Sequence, residues 1–497
     1  MNCSPNKFPW RVFQNSTFVV LAVALLGCRA ETGPEWLVGD IACAATGSPV
    51  SEVSLSWEST TWPVLDIVLA ADVEGWVRFG TAEDPLRSSP RNQWSGSVSV
   101  PLRGGRAERL YEYVIVTDDG ESEWCEFGAF ETGSFDADFP DLNTTVFDAE
   151  RVPNRYIVLP VYGEAEKAFT VILDEGGQPV WVAEEQTSPS VPMYDGMLWK
   201  MAPAIDEESY AKVVGRDFDL TVNYEVRVQG LRFTFDIDPL DTPSTLSGNT
   251  LWSALSWDFR ELEHEGETRH MVGDRVIEFN LNGETREVWS AFDTFTPDLS
   301  DEWPMDSGFY PDADGEDWSH VNSLSYDRDE DAYFVPSDGL EAIIRVDRST
   351  GSADWVLSDS FGDFEVLGDA QLIDSPHSVQ WLGDDRLLVF NRNLEGGTER
   401  CATVDEIALD LDGQTAELIG RYGEEECLTV AFLGEAIQDD AGRRWITYGS
   451  AGRFEVLDAD GTLIVQAQLD LGGAFGFHGV YDSLYRTDTR GADSEAL

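Results

Sequence analysis

The chain has 497 residues, 42% of them hydrophobic and 11% aromatic, too many for one ordinary domain and apolar enough to build substantial cores. Its formal net charge is −60, with only four Lys among 33 basic residues, and the acidic side chains are spread along the sequence rather than gathered in a tail. Such a surface repels polyanions and offers no basic stripe, which argues against nucleic acid as a partner; the charge reads as a solvated acidic surface suited to a salty medium.

The N-terminus supplies Lys7 and Arg11, then the apolar run "STFVVLAVALLGC" ending at Cys28. The run is short for a membrane-spanning helix and fits the hydrophobic region of a secretory signal. Its "LLGC" end resembles a bacterial lipoprotein signal, so residues 1–27 are expected to be removed, Cys28 lipidated, and residues 28–34 to form a lipidated linker. The expected location is the bacterial cell envelope, periplasmic or surface-exposed, with the lipid as the sole membrane anchor. Export makes disulfides possible. Cys43, Cys125, Cys401 and Cys427 then remain, and four cysteines allow three connectivities. Pairing within domains gives Cys43–Cys125 and Cys401–Cys427. The spacing of Cys and His fits no zinc site, and neither metal nor cofactor is expected.

Residues 35–134 read as short strands, "VSLSWEST", "LDIVLAAD", "GWVRFGT", "SGSVSVPL", "YEYVIVTDDGE" and "FGAFETG", alternating in polarity between Gly, Pro and Asp turns. That pattern predicts a small β-sandwich, and it looks like a fibronectin type III module. Residues 135–152 read as a linker.

From residue 153 to 487 a unit repeats: "VILDEGGQPVW", "VIEFNLNGETREVW", "IIRVDRSTGSADW", "IALDLDGQTAEL" and "FEVLDADGTLIVQ", with "VVGRDFDLTVNYEV" as a weaker copy. Each is an apolar strand, an Asp/Asn/Gly turn and a second strand. A further hairpin precedes most copies, as in "SVQWLGDDRLLVFNR", and two hairpins make one four-stranded sheet. Six such sheets predict a six-bladed β-propeller, all-β like the sandwich before it, with first strands lining a central channel. The first copy lacks its inner strand, which the C-terminal "FGFHGVYDSLY" is placed to supply. Residues 488–497 are expected to be a flexible tail. The acidic turn "DADGEDW" (Asp312–Trp318) lacks the glycine and glutamate positions of a calcium loop.

Only five histidines occur, and three fall at matched points of this register. His320 heads one inner strand in "DWSHVNSLSYD", His377 heads the next 57 residues on in "SPHSVQW", and His478 heads the closing strand. Equivalent blade positions converge at one end of a channel, where imidazoles can serve as base or nucleophile. His264 and His270 fall in what reads as an acidic, solvated loop.

The segments "DWSHVNSLSYD…AYFVPSDGLEAIIRVDRSTGSADWVLS", "SPHSVQWLGDDRLLVFNR" and "RVIEFNLNGETREVWSAFD" resemble the bacterial arylsulfate sulfotransferases. The resemblance runs from Asn154 to Tyr485 and includes the closing "SLY" at Ser483–Tyr485. It implies a PAPS-independent enzyme that moves a sulfuryl group from an aryl sulfate to a phenol through a histidine. The His-x-Asn motif of the family falls on His320 and Asn322, and the nucleophile on His377; Arg392 and His478 are the candidate substrate-binding residues. Two departures stand out. Asp338 in "VPSDG" occupies the place of a family arginine, and Phe235 that of a family histidine. Arg392 and Arg400 are candidates for the missing cation. The rival expectation is a propeller that has lost catalysis and binds a ligand or protein partner at the channel mouth.

Overall fold

A computed structural model of the chain describes residues 34–485, except 40, 45, 84–85, 136–138, 153–154, 164–166, 186–187, 203–209, 230, 232, 241–245, 247–250, 300–314, 395–400 and 471–472, and except the side chains of 202, 210, 229 and 233–235. The signal region, Cys28, the tail, the start of the "DADGEDW" turn and Arg400 therefore lie outside the described residues, as does the side chain of Phe235. The chain divides into two compact units, Met1–Phe135 and Asp136–Leu497.

In the first unit, Val50–Trp57, Pro63–Leu69 and Ser97–Pro101 make one antiparallel sheet. Val73–Gly80, Leu110–Asp118 and Glu123–Glu131, with two short strands, make the other. Alternation sets the faces: in "PVLDIVL" Leu65, Ile67 and Leu69 are buried between less buried neighbours. They meet Val77, Phe79, Tyr111 and Ile115 of the second sheet in one core, which makes the unit a sandwich. The hydroxyl of Tyr111 accepts the Arg106 N–H at 2.7 Å. A Cys43–Cys125 disulfide fastens the leading segment to the strand Glu123–Glu131.

The second unit contains, among the described residues, six sheets in chain order, numbered here as blades. Blade 1 holds Tyr156–Tyr162, Ala168–Leu173 and Pro179–Glu184; its inner edge is completed by Ala474–Phe475 and Gly479–Tyr481, antiparallel to Tyr156–Tyr162. The inner strands of blades 2 to 6 are Met193–Tyr194, Phe233–Leu240, Ser325–Asp327, Pro376–Gly383 and Glu435–Gln438. Residues from these strands or their immediate flanks in all six blades line one central cavity, the arrangement of a six-bladed propeller. The repeated hairpin turns follow from their side chains. Asp174, Asn280, Asp347 and Asp439 each accept backbone N–H groups two to four residues on through Oδ1. Gly177, Gly283, Gly351 and Gly442 take the positive φ that closes each turn.

Two expectations are corrected. Within the stretch read as a linker, Leu142–Phe147 is a strand, the outermost of blade 6, paired with Leu463–Leu469. Its "LNTTVF" is only half-buried on alternate residues, and its partner lies hundreds of residues away, so no local signal marks it. His264 and His270 stand not in a loop but on the long hairpin Leu251–His264 and Glu267–Asn280, which turns at Glu265 and Gly266 with positive φ. Its outer half is charged on both strands and reads locally as loop; His270 is nonetheless exposed.

Cores form between neighbouring blades. Trp252 and Phe279 of blade 3 pack with Trp199 and Val213 of blade 2. Trp289 of blade 3 joins Tyr333 and Ile344 of blade 4, and Phe334 and Trp355 of blade 4 join Trp381 and Leu387 of blade 5. Buried ion pairs cross the same seams. Glu278 of blade 3, wholly buried, accepts from Arg348 Nε of blade 4 at 2.6 Å, from the Tyr333 hydroxyl at 3.0 Å and from Arg286 at 2.8 Å. Glu185 at the end of blade 1 likewise takes Lys200 and Arg216 of blade 2; burial lowers the Lys200 ammonium to about 8. A second disulfide, Cys401–Cys427, joins the approach to Thr403–Asp410 with the loop after Thr415–Tyr422 in blade 5.

Candidate active site

The segment "DWSHVN" enters blade 4. Asp317 pairs in parallel with Val272 of blade 3 and is buried. Its carboxylate then organises the next turn: Oδ1 accepts the His320 N–H at 3.2 Å, and Oδ2 lies 2.6 Å from His320 Nδ1. His320 takes φ 41, a left-handed conformation that costs a non-glycine residue roughly 1 kcal/mol or more and persists only where surroundings enforce it. Here the two bonds to Asp317, and the His320 carbonyl accepting the Asp338 N–H at 3.0 Å, enforce it. Burial would lower the pKa of this imidazole. The hydrogen bond and charge of Asp317, with the charges of Asp338 and Asp274, reverse that and raise it above its ordinary value. Asp274 is itself pushed up to about 7 by burial and by the charge of Asp317.

Asn322 donates Nδ2–H to the carbonyl of Pro376 at 3.2 Å, binding blade 4 to the residue that precedes His377. His377 is the second residue of its inner strand and is almost fully buried. Its Nδ1 lies 3.0 Å from the Gly434 carbonyl of blade 6, and its ring packs on Phe477 with centroids 5.4 Å apart. A carbonyl oxygen only accepts, so Nδ1 carries the hydrogen and Nε2 keeps its lone pair. Burial first, then the charges of Arg392 and His320, hold this histidine well below its ordinary pKa. The two imidazoles thus have opposite protonation preferences within one electrostatic neighbourhood.

Arg392, just past the strand Arg386–Asn391, donates to the Ala431 carbonyl at 2.9 Å and to Asp338 Oδ2 at 2.6 Å. Its Nε–H is buried and has no acceptor among the described residues. The Asp338 carboxylate is thereby matched by a guanidinium from the next blade. His478 stands at the sixth seam: its N–H donates to Glu435 Oε2 at 2.7 Å, its Nδ1 lies 2.9 Å from the same oxygen, and its Nε2 is buried with no partner among the described residues. His320, Asn322, His377 and Arg392 are linked by contacts or mutual charge effects, and His478 adjoins through Phe477 and the Gly434–Glu435 turn.

Residues that sequence reasoning left out also belong to this neighbourhood. Asp317 sits three positions before His320, a spacing that lets a carboxylate cap its own turn, and this was the available signal. Asp236, Asp238 and Glu435 reach the central cavity from blades 3 and 6. Burial and the charge of Glu435 push Asp236 up to about 7, and burial with the charges of Asp236 and Glu435 raises Asp238 well above the ordinary range.

Fold and site together define a six-bladed β-propeller in which two buried histidines at the head of neighbouring blades, with opposite protonation preferences, feel each other's charge. The chain belongs to the arylsulfotransferase (ASST) family, whose profile matches residues 143–463. No curated protein matches the chain. Similar solved structures include a protein from Lactobacillus plantarum, 11% identical, covering 81% of this chain and 99% of that one with a TM-score of 0.34. Saccharomyces cerevisiae Sqt1 is 10% identical over 85% of this chain and 93% of its own, TM-score 0.30. Citrobacter koseri AztD is 11% identical over 82% and 99%, TM-score 0.25.

Proposed function

We propose that the protein transfers a sulfuryl group from an aryl sulfate to a phenol, with His377 as the transient carrier. The observation that carries this reading is the pairing of His377, neutral with its Nε2 lone pair free of the Gly434 bond, with His320, held toward its cationic form by Asp317. In the first step His377 Nε2 attacks sulfur, the N–S bond forms and the S–O(aryl) bond breaks. The leaving aryloxide takes the proton from His320 Nε2. In the second step the acceptor hydroxyl gives its proton back to His320 Nε2 while its oxygen attacks sulfur, and the N–S electron pair returns to His377. Charge stays on the equatorial oxygens throughout, so fixed donors are the main catalytic requirement. The Arg392 Nε–H is available for that role, and Asn322 acts as a positioning residue through its bond to Pro376.

The reading extends to an envelope lipoprotein anchored through Cys28, whose mature part begins with a fibronectin type III-like spacer at residues 35–134. Two disulfides fit an oxidising compartment, and the Tyr111 bond to Arg106 resembles the tyrosine corner of such sandwiches. One observation favours the rival, a binding propeller without turnover: Asp338 occupies one edge of Arg392 and so withholds part of its charge from an anionic substrate. Incubating the purified mature chain with a chromogenic aryl sulfate, with and without a phenol, decides between them. Transfer predicts phenol release, a mass gain of one SO3 on His377, and loss of both in His377→Ala. No adduct and no release from pH 6 to 9, where His377 stays neutral, would leave the binding reading.

A further inference from the structure

The closing segment Ala474–Tyr481 completes blade 1 and also reaches three other blades. The Phe477 N–H donates to the Pro189 carbonyl, ahead of blade 2, at 2.8 Å, and the Tyr481 hydroxyl accepts the Met193 N–H of blade 2 at 2.7 Å. The Phe477 ring packs on His377 of blade 5. His478 turns to blade 6, where its N–H and its Nδ1 both meet Glu435 Oε2, at 2.7 and 2.9 Å.

Glu435 follows the residue that fixes the proposed nucleophile. His377 takes its tautomer from one acceptor, the Gly434 carbonyl, 3.0 Å from Nδ1. Gly434 has φ 121, and a Cβ there would lie 2.3 Å from the Phe390 ring, so only glycine fits. With no side chain at this position, the carbonyl is aimed by the residues that follow it. The Ala436 N–H donates to Ser378 Oγ at 3.1 Å, which ties Ala436 to the residue after His377. Glu435, between Gly434 and Ala436, is held by His478. An ionised carboxylate only accepts, so His478 Nδ1 carries the hydrogen in this pair. Thr447 and Phe454 flank the imidazole, whose side chain is fully buried. Its Nε2 reaches the cavity wall and has no partner among the described residues. The contacts that hold the ring to Glu435 therefore lie on the Nδ1 edge.

We propose that His478 is a positioning residue for the nucleophile: through Glu435 it keeps the Gly434 carbonyl on His377 Nδ1, and so leaves the His377 Nε2 lone pair for attack. Ring closure and the mounting of the carrier are then one event. Before the last segment docks, Glu435 lacks His478 and the His377 ring lacks the face of Phe477, so nothing selects the attacking tautomer. The effect on rate rests on the transferase reading; the effect on the tautomer does not.

Two substitutions separate the two edges of His478. In His478→Asn the amide N–H can reach Glu435 from near the place of Nδ1, and the Nε2 group is gone. In His478→Gln the amide extends toward the place of Nε2, and Glu435 loses its side-chain donor. The chain has only five histidines, so labelling them with nitrogen-15 gives a spectrum in which the His377 tautomer is read directly, its signal identified by its loss in His377→Gln. The wild-type chain is expected to show hydrogen on Nδ1. In His478→Gln the tautomers mix, and single-turnover release of 4-nitrophenol from its sulfate falls at least about tenfold, the lower end of the worth of a hydrogen bond to a charged group. His478→Asn recovers most of both losses. Glu435→Met, which removes the acceptor and leaves His478 in place, reproduces them, so the test does not hang on one variant folding. Tautomer and rate unchanged in His478→Gln and Glu435→Met overturn the proposal. So does a loss in His478→Asn as deep as in His478→Gln, which would assign the role to Nε2 instead. If the tautomer shifts as stated but the wild-type chain forms no SO3 adduct, the positioning role stands and the transferase reading falls; if the adduct forms and the tautomer ignores His478, the reverse holds.

Discussion

Asp317→Asn removes one charge from the His320 pair and changes little else in volume. The carboxylate faces His320 Nδ1 at 2.6 Å with both residues buried. Hydrogen bonds to charged groups contribute about 1.5–3 kcal/mol, so losing this one weakens the imidazolium by roughly 10- to 100-fold in any step that needs it. The amide also favours the neutral tautomer with hydrogen on Nε2, the atom that must receive the acceptor's proton. Sulfuryl transfer from phenyl sulfate, a poor leaving group, therefore falls by about 10- to 100-fold, whereas transfer from 4-nitrophenyl sulfate, whose leaving group needs little protonation, falls much less. The pH profile moves with a definite sign. His320 stands above its ordinary pKa because of Asp317, so the wild-type alkaline limb lies above that value. Without Asp317, burial dominates and the limb shifts toward acid. The same linkage adds stability that is complete below the unfolded histidine value and is lost as pH rises through the folded one; Asp317→Asn lacks that increment. Steady-state rates with both donors from pH 5 to 10 test this. Equal losses on the two donors with an unmoved alkaline limb would refute the acid role of His320 and reduce Asp317 to a structural cap.

Arg392→Met is expected to lower kcat/KM for aryl sulfates more than tenfold, at the scale of one lost oxyanion donor, and adding Asp338→Asn recovers part of it. A double-mutant cycle with zero coupling would show that the 2.6 Å pair does not shape the site. Glu278→Gln leaves Arg348 and Arg286 without their buried carboxylate at the seam of blades 3 and 4, costing about 3–5 kcal/mol, read as a lower denaturation midpoint by tryptophan fluorescence. Reducing Cys401–Cys427, which closes a separation of 26 residues, lowers stability by about 3–4 kcal/mol on the chain-entropy scale; an unchanged midpoint in reductant would contradict that.

Much of the propeller was legible because its information is local and periodic. "DEGGQ", "NLNGE" and "DDAGR" each hold an Asp or Asn three residues before a glycine, and each folds as the turn that spacing dictates. The six-sheet count, the closing strand at Gly479–Tyr481 and both disulfides follow from the same periodicity and domain division. The edge strand Leu142–Phe147 escaped because a half-exposed outer strand needs little hydrophobic pattern and finds its partner only after the ring closes.

The sequence by itself determined the architecture and which blade positions bear His320, His377 and His478, since both are written in turn residues and alternating apolar runs with short-range causes. Only the tertiary structure decided what those histidines do electrically. Protonation preference depends on burial and on charges across blade seams, and Asp338 meeting Arg392, Gly434 meeting His377 and Asp236 facing Glu435 are encounters between residues far apart in the chain. Coulomb interactions act through space, so the sign of each shift is fixed by ring closure rather than by neighbours in sequence.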